Sequence, residues 1–215
     1  LDMGFPGNFE LTVTYRVEEN QTLYVHYLGK CDAECYACIT NHAYFNLNGH
    51  NSSILGHTLY LDADEYLPLD ANSIPTGEVR SVHGTTFDFT TPKTIGQDFL
   101  GEEQQRLSLG YDHPFLISGN PLKPFAKVTS EDGRVCMQMY TDYPAVQFYS
   151  GNYLNLRDAK VIARDDGKIY FNQSGLCLEP EYYPDSPHLP EFAELNPKVT
   201  PLRPLDRFIA WQFLV

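Results

Sequence analysis

Apolar and polar side chains alternate without a break along Phe9-Glu10-Leu11-Thr12-Val13-Thr14-Tyr15-Arg16-Val17. Alternation with a period of two predicts a half-buried β-strand with its apolar face in the core. Polar residues 18–21 follow as a turn, and residues 23–28 return as a second apolar run. The start of the chain is therefore predicted to be a β-hairpin.

Similar short runs continue along the chain. They lie at Thr58–Leu61, residues 125–128, residues 135–141, Ala145–Tyr149, residues 161–162 and residues 208–215. The 15 Pro and 15 Gly are spread among these runs and leave little room for long helices. Aromatic residues make up 13% of the chain and suit the pleated, half-buried surfaces of β-sheets. Many short strands between Gly, Pro, Asn and Asp turns predict one all-β domain over residues 1–215, either a sandwich or a barrel.

Acidic residues outnumber basic residues along the chain. With 15 Lys+Arg against 28 Asp+Glu, the formal net charge is −13 with His neutral. Such a charge repels a phosphate backbone and an anionic lipid surface, so we expect no nucleic-acid partner and no membrane partner. No apolar run approaches the roughly 20 residues that span a bilayer, and the first residues do not read as a secretory signal.

The five cysteines are Cys31, Cys35, Cys38, Cys136 and Cys177. An odd number favours free thiols in a reducing compartment, and we expect a cytoplasmic protein. The spacing of the first three invites a metal interpretation, but a structural zinc site needs four ligands and no second matching pair follows. We therefore expect ordinary buried thiols, with no metal and no cofactor.

Four stretches hold more polar and aromatic side chains than a packed strand needs, around His42, Asp112, Gln147 and Glu179. Taken alone, His42 reads as a hydrogen-bonded structural histidine, Asp112 as a turn carboxylate and Gln147 as an amide that satisfies backbone groups. Glu179 stands apart because it follows Gly-Leu-Cys-Leu at the end of a predicted buried strand. A carboxylate in such a place needs a partner or a raised pKa, which is typical of functional sites.

Taken together, the polar stretches form a series that covers nearly the whole chain. In chain order its motifs are Asn41-His42-Ala43-Tyr44-Phe45-Asn46-Leu47, Asp64-Glu65-Tyr66-Leu67-Pro68-Leu69-Asp70, Ile74-Pro75-Thr76-Gly77-Glu78-Val79, Gly84-Thr85-Thr86-Phe87-Asp88-Phe89, Gly110-Tyr111-Asp112-His113, Val146-Gln147-Phe148-Tyr149-Ser150-Gly151-Asn152, Ser174-Gly175-Leu176-Cys177-Leu178-Glu179 and Pro184-Asp185-Ser186-Pro187. This ordered series resembles the aldose 1-epimerases, also called galactose mutarotases. It is far more specific than any single motif.

The resemblance implies both a fold and a set of roles. The fold is a large antiparallel β-sandwich, the galactose mutarotase-like supersandwich, with a sugar site in an open cleft on one face. His42 matches the family's general acid and Glu179 its general base. Asp112 and Gln147 match positions that hydrogen-bond sugar hydroxyls, and Tyr44 is a weaker candidate in the first motif. The implied reaction interconverts the α and β anomers of a free hexose such as galactose or glucose.

The match departs from the family in two places. It begins at Gly4-Phe5-Pro6-Gly7-Asn8, well inside the family's domain, so the N-terminal portion, with an Arg and a His of the sugar pocket, is missing from this chain. Three alternatives account for this missing portion. A further segment or second chain supplies it, another copy of this chain supplies it, or it is absent from an inactive remnant. The first alternative is favoured. Pro180 and Glu181 stand where the family has Thr-Gln, so that a second carboxylate lies beside the base.

Two other functions remain open. A non-catalytic sugar-binding or regulatory module would keep the cleft without the chemistry, and the missing N-terminal strands favour it. An epimerase for phosphorylated hexoses would need basic side chains at the cleft, for which only Arg157, Lys160 and Arg164 are loosely placed. We rank that third function last.

Overall fold

A computed structural model describes residues 4–50, 52–155, 166 and 169–215 of the chain. Most regular structure in these residues is β-strand. One short α-helix, α1 at Glu103–Leu107, and 3₁₀ turns at Ile54–Gly56, Ser186–His188 and Pro190–Leu195 interrupt the strands. In the part of the chain that is described, no helix is long and apolar enough to cross a bilayer.

The strands form two large antiparallel sheets and one small sheet. The first large sheet has the order β1-β2-β14-β10-β9-β4-β7, with β1 at Phe9–Val17, β2 at Thr22–Cys31, β4 at Thr58–Leu61, β7 at Lys93–Thr94, β9 at Ala126–Thr129, β10 at Cys136–Thr141 and β14 at Leu205–Leu214. The second has the order β12-β11-β8-β5-β6, with β5 at Glu65–Tyr66, β6 at Arg80–Ser81, β8 at Asp112–Leu116, β11 at Ala145–Tyr149 and β12 at Cys177–Glu181. The small sheet pairs β3, Cys35–Tyr36, with β13, Lys198–Val199.

The two large sheets share one hydrophobic core. Val25, Met139 and Trp211 project into it from the first sheet, and Phe115 and Phe148 project from the second. Side chains on successive positions of a strand point to opposite faces, so the residues between these core positions face away from the core. The predicted all-β sandwich is confirmed. The face of the second sheet that points away from the core is available for polar side chains.

Most predicted strands are present with close boundaries. The runs at Thr58–Leu61 and Ala145–Tyr149 match β4 and β11 residue for residue, and the predicted hairpin is the β1–β2 pair. The predicted run at residues 161–162 lies outside the described residues.

The expectation that one face of β1 lies in the core is wrong for this chain. The strand forms and the register places its apolar residues on the same face as Val25 and Tyr27 of β2. However, β1 is the edge strand of its sheet, and its apolar side chains are exposed: Phe9, Leu11 and Val13 by 37%, Tyr15 by 63% and Val17 by 80%. The alternation therefore identifies the apolar face correctly, but no layer of the described residues covers it.

Candidate active site

Three neighbouring strands bring the predicted carboxylates and amide to one face of the second sheet. In the antiparallel register, Gln147 of β11 lies opposite Glu179 of β12, and Tyr149 lies opposite both Cys177 of β12 and Asp112 of β8. Residues two apart on a strand share a face, so all five side chains project from the side opposite the core. The sheet register alone thus collects groups that are up to 67 positions apart in the sequence.

The segment that contains His42 is attached to this face by main-chain hydrogen bonds. Phe45 and Leu176 exchange two such bonds, of 2.8 and 2.9 Å, and form an isolated β-bridge beside β12. The side-chain amide of Asn46 donates to the carbonyl oxygen of Ser174 at 3.0 Å. The absence of a side chain at Gly175 leaves room for Tyr44, because an added Cβ would lie 3.2 Å from its ring. This packing places His42 above Glu179.

An imidazole and a carboxylate face each other at the centre of the site. Nε2 of His42 lies 3.7 Å from Oε1 of Glu179. The two side chains differ in solvent contact, since the His42 side chain is 55% exposed and that of Glu179 only 11%. On its other edge, Nδ1 of His42 lies 3.4 Å from Sγ of Cys177. The ring is therefore held between a thiol and a carboxylate while it remains accessible to a ligand.

Asp112 and Gln147 form a second polar pair on the same face. The Gln147 amide donates to Oδ1 of Asp112 at 2.8 Å, which orients both side chains. The oxygen of the same Gln147 amide group, Oε1, is buried and has no hydrogen-bond partner among the described residues. A buried acceptor without a partner is costly, so this oxygen is a natural position for a ligand hydroxyl group.

Burial dominates the electrostatics of the two carboxylates. It raises the pKa of Glu179; the nearby His42 lowers that pKa, and the charge of Asp112 raises it. Burial also raises the pKa of Asp112, against the lowering effects of the Gln147 hydrogen bond and of His42. Desolvated carboxylates of this kind hold protons more strongly than carboxylates in water, which makes Glu179 a stronger base.

Glu181 adds a third carboxyl group to the same face of β12. Burial, followed by the charges of Glu179 and Asp112, raises its pKa to about 8. Its Oε1 atom is buried and unpartnered among the described residues. Burial therefore favours the neutral, protonated form of Glu181, which resembles the side chain of a glutamine. The neighbouring Pro180 fits because β12 is an edge strand, where a missing N–H costs little.

Aromatic rings surround the imidazole. Tyr44 stacks on His42 with ring centroids 5.0 Å apart, and the edge of Tyr149 meets His42 at 6.2 Å. Tyr44 is 46% exposed, so its ring also faces solvent at the mouth of the site. Sequence reasoning missed Cys177 and Tyr149 as neighbours of His42. The two-residue period of a β-strand could have predicted both, because Cys177 lies two residues from Glu179 and Tyr149 lies two residues from Gln147, on the same face of each strand.

A cavity of about 410 Å³ adjoins this cluster. Of its lining residues only Tyr44 also belongs to the cluster; the lining consists of Tyr44, Phe45, Asn46, Gly49, His50, Leu154, Tyr170, Ser174 and Gly175. The volume suits a small ligand. The cavity and the His42–Glu179 pair are therefore neighbours that meet at Tyr44.

The cysteines behave only in part as expected. All five are free thiols; Cys31, Cys35 and Cys177 are buried, whereas Cys136 is half-buried and Cys38 is exposed, so these two depart from the expectation of buried thiols. The described residues place no three metal-ligating side chains together at Cys31, Cys35 and Cys38. They do so at His42, Cys177 and Glu179, whose ligand atoms lie within 4.8 Å of one another. Arg157, Lys160 and Arg164, considered for a phosphorylated substrate, lie outside the described residues.

Known proteins are similar to this chain in both sequence and fold. The sequence profile of the family described as Aldose 1-epimerase matches residues 1–200. The chain is 39% identical over 215 residues to the aldose 1-epimerase of Escherichia coli K12, covering 99% of this chain and 61% of that protein. It is 39% identical over 195 residues to human galactose mutarotase, covering 88% of this chain and 53% of that protein.

Solved structures agree with this relationship. A GalM/aldose epimerase homologue from C. elegans superposes with a TM-score of 0.82 at 26% identity, covering 99% of this chain and 62% of that chain. Galactose 1-epimerase from Lactobacillus acidophilus superposes with a TM-score of 0.80 at 26% identity, covering 98% of this chain and 58% of that chain. The chain thus spans about three fifths of the length of its E. coli relative. By sequence and by fold, it belongs to the aldose 1-epimerase family.

Proposed function

We propose that this chain interconverts the α and β anomers of a free hexose such as galactose or glucose by general acid–base catalysis. The single observation that supports this most is the His42–Glu179 pair, in which a buried carboxylate faces an accessible imidazole at 3.7 Å. The names of the relatives, aldose 1-epimerase in E. coli and galactose mutarotase in humans, favour the same reaction.

The proposed reaction opens and closes the hemiacetal ring. Ionised Glu179 removes the proton of the C1 hydroxyl group while protonated His42 donates a proton to the ring oxygen, and the bond between C1 and that oxygen breaks. Rotation about the C1–C2 bond then presents the other face of the carbonyl group. The ring closes as His42 takes back the proton from the hydroxyl group that was the ring oxygen and Glu179 returns its proton to the carbonyl oxygen. The protein therefore ends as it began and no cofactor is consumed. Each positioned acid or base contributes about 10²–10⁴-fold.

The neighbouring groups are proposed to bind and orient the sugar. Asp112 accepts hydrogen bonds from hydroxyl groups, and the unpartnered Oε1 of Gln147 accepts another. Tyr44 holds the imidazole plane by stacking and offers an amphipathic ring at the mouth of the site. Cys177 assists the acid, because a thiol can donate to neutral Nδ1 of His42 and its sulfur can accept from the protonated ring.

We further propose that residues 1–215 belong to one domain whose exposed β1 face is covered by a further segment or second chain. The apolar side chains of β1 line up on the core face of the first sheet, yet they are 37–80% exposed. An uncovered edge of this kind invites aggregation. The intact mass of the native protein tests this proposal: a mass above the 24.5 kDa of this chain supports it, and a soluble monomer of 24.5 kDa contradicts it.

Polarimetry of freshly dissolved α-glucose and α-galactose tests the proposed activity. We expect the approach to anomeric equilibrium to accelerate in proportion to protein concentration. Saturable sugar binding without acceleration would contradict catalysis and support the alternative, a non-catalytic sugar-binding module, which the partial coverage of the relatives favours. Exchange NMR of the same samples gives the rate at equilibrium and serves as an independent check.

A further inference from the structure

Three side chains with different metal-binding chemistry meet at the site. His42, Cys177 and Glu179 each offer one ligand atom, and these atoms lie within 4.8 Å of one another. The sulfur lies 3.4 Å from Nδ1 of His42, and Oε1 of Glu179 lies 3.7 Å from Nε2. Ligand atoms around a tetrahedral zinc ion are separated by about 3.3–3.7 Å, as follows from zinc bonds of about 2.0–2.3 Å. Because the two observed distances involve different ring nitrogens, binding requires one nitrogen of His42 to come within that range of both the sulfur and the oxygen.

We propose that His42, Cys177 and Glu179 form an inhibitory binding site for a divalent zinc ion. One ring nitrogen of His42, the sulfur of Cys177 and one oxygen of Glu179 would be its protein ligands. Three protein ligands leave a fourth tetrahedral position open to water. The metal would compete for the same atoms that the proposed reaction uses, so the inhibitory effect rests on the proposed function, whereas the binding itself does not.

The local architecture makes small adjustments sufficient for binding. Cys177 and Glu179 lie two residues apart on β12, so the strand fixes two ligands on one face. The His42 side chain is 55% exposed, so its ring can turn toward an ion that enters from solvent. The main adjustment is therefore a turn of the His42 ring.

The donor set selects the metal. Thiolate and imidazole ligands favour zinc over magnesium or calcium, which prefer oxygen ligands. Ligation releases the thiol proton of Cys177 to solvent and forms the sulfur–zinc bond, so that one thiolate and one carboxylate balance the charge of the ion. The negative charge of Asp112 nearby adds to the attraction.

Cobalt(II) provides a spectroscopic probe of this site. The purified chain, freed of metal by a chelator, is titrated with Co²⁺ and then with Zn²⁺ while its absorption spectrum is recorded. We expect a thiolate-to-cobalt charge-transfer band that saturates at one ion per chain and disappears when Zn²⁺ displaces Co²⁺. Absence of the band, or its persistence in Cys177→Ser, would overturn the proposal.

Matched variants locate the ligands. Cys177→Ser should abolish the charge-transfer band and weaken zinc binding by at least about 100-fold, since even partners outside the ligand shell cost 10–100-fold. Cys136→Ser is the control, because Cys136 lies on β10 in the other sheet, and it should leave the band unchanged. Glu179→Gln should weaken binding while retaining the band.

Anomer exchange measured in the same titration separates this proposal from the proposed function. Loss of exchange in parallel with metal occupancy supports both. A saturable band in a chain that does not accelerate exchange supports the metal site and contradicts the proposed function. Acceleration that survives saturating Zn²⁺ contradicts the inhibitory site and leaves the proposed function intact.

Discussion

Two imidazole–carboxylate pairs in this molecule differ in the burial of the carboxylate. His26 of β2 and Asp206 of β14 lie on the first sheet, with Nε2 2.7 Å from Oδ1. His42 and Glu179 lie on the polar face of the second sheet at 3.7 Å. The shorter contact is the less suited to catalysis, because the Asp206 side chain is 68% exposed whereas that of Glu179 is 11% exposed.

The comparison indicates that, for the basicity of a carboxylate, its desolvation matters more than its distance from the imidazole. Water screens the exposed pair, and such pairs contribute little to stability or reactivity. Burial of Glu179 raises its pKa and therefore its strength as a base, and the His42 ring stays accessible to a molecule that enters from solvent. The separation of 3.7 Å is too long for a direct hydrogen bond, so both groups keep hydrogen-bonding capacity for a third molecule.

Removal of the proposed base, Glu179, should have the largest effect on anomer exchange. We expect Glu179→Gln to lower kcat/KM for anomer exchange by about 10³-fold, because an amide of similar size cannot accept the proton. The matched change in the exposed pair, Asp206→Asn, should leave kcat/KM within about twofold. Polarimetry at equal concentrations of folded protein compares the two, and equal effects would refute the distinction between the pairs.

Removal of the proposed acid, His42, should lower the rate of anomer exchange somewhat less. We expect His42→Asn to lower kcat by about 10²-fold, since water can replace part of the proton donation to the ring oxygen. His26→Asn is its control and should behave as the unsubstituted chain. A larger loss in His26→Asn than in His42→Asn would reverse the comparison.

Loss of a sugar contact should act on binding. Gln147→Leu removes the buried amide oxygen that lacks a protein partner, and we expect KM to rise about tenfold with a small change in kcat, the usual effect of one hydrogen bond. Gln138→Leu on β10, where the amide oxygen accepts from Tyr140, is the control in the first sheet. An unchanged KM in Gln147→Leu would exclude this oxygen as a sugar contact.

Glu181 tests the desolvation of the site through stability, with no expected effect on the chemical step. Its folded pKa of about 8 lies above the ordinary value, so its contribution to stability is present in full at acidic pH and is lost as pH rises toward and through 8. We expect the free energy of unfolding to fall with rising pH more steeply than in Glu181→Gln, by up to about 1.4 kcal/mol per pH unit between pH 5 and 8, and Tm to fall with it.

Scanning calorimetry from pH 5 to pH 9 measures this difference. Asp206→Asn provides the exposed comparison, and its curve should run parallel to that of the unsubstituted chain. Parallel curves for Glu181→Gln as well would show that the polar face of β12 is open to water, and the contrast between the two pairs would lose its physical basis.

Much of the fold was predictable because alternation is a local signal. It located β4 and β11 by residue and predicted the β1–β2 hairpin. Two-residue strands such as β3 and β5 were not predicted, since so short a segment shows no periodicity. The alternation in β1 identified an apolar face but not what covers it, because coverage depends on other parts of the structure.

The residues of the candidate site were likewise predicted only in part. The resemblance supplied His42, Glu179, Asp112, Gln147 and Tyr44, and the register of β8, β11 and β12 brings the polar groups of those strands together. The contact between Cys177 and His42 was not predicted, because it depends on the bridge that attaches a loop to β12. The roles of the five residues in catalysis and binding remain predictions.

Cooperation between acid and base is tested most directly by the double variant His42→Asn/Glu179→Gln. If the two groups transfer protons within one reaction, each is of little use without the other, and the losses in kcat are far from additive. We expect the double variant to lose about the same factor in anomer exchange as Glu179→Gln alone. Losses that multiply, so that the double variant falls by the product of the two single factors, would contradict a His42–Glu179 acid–base unit.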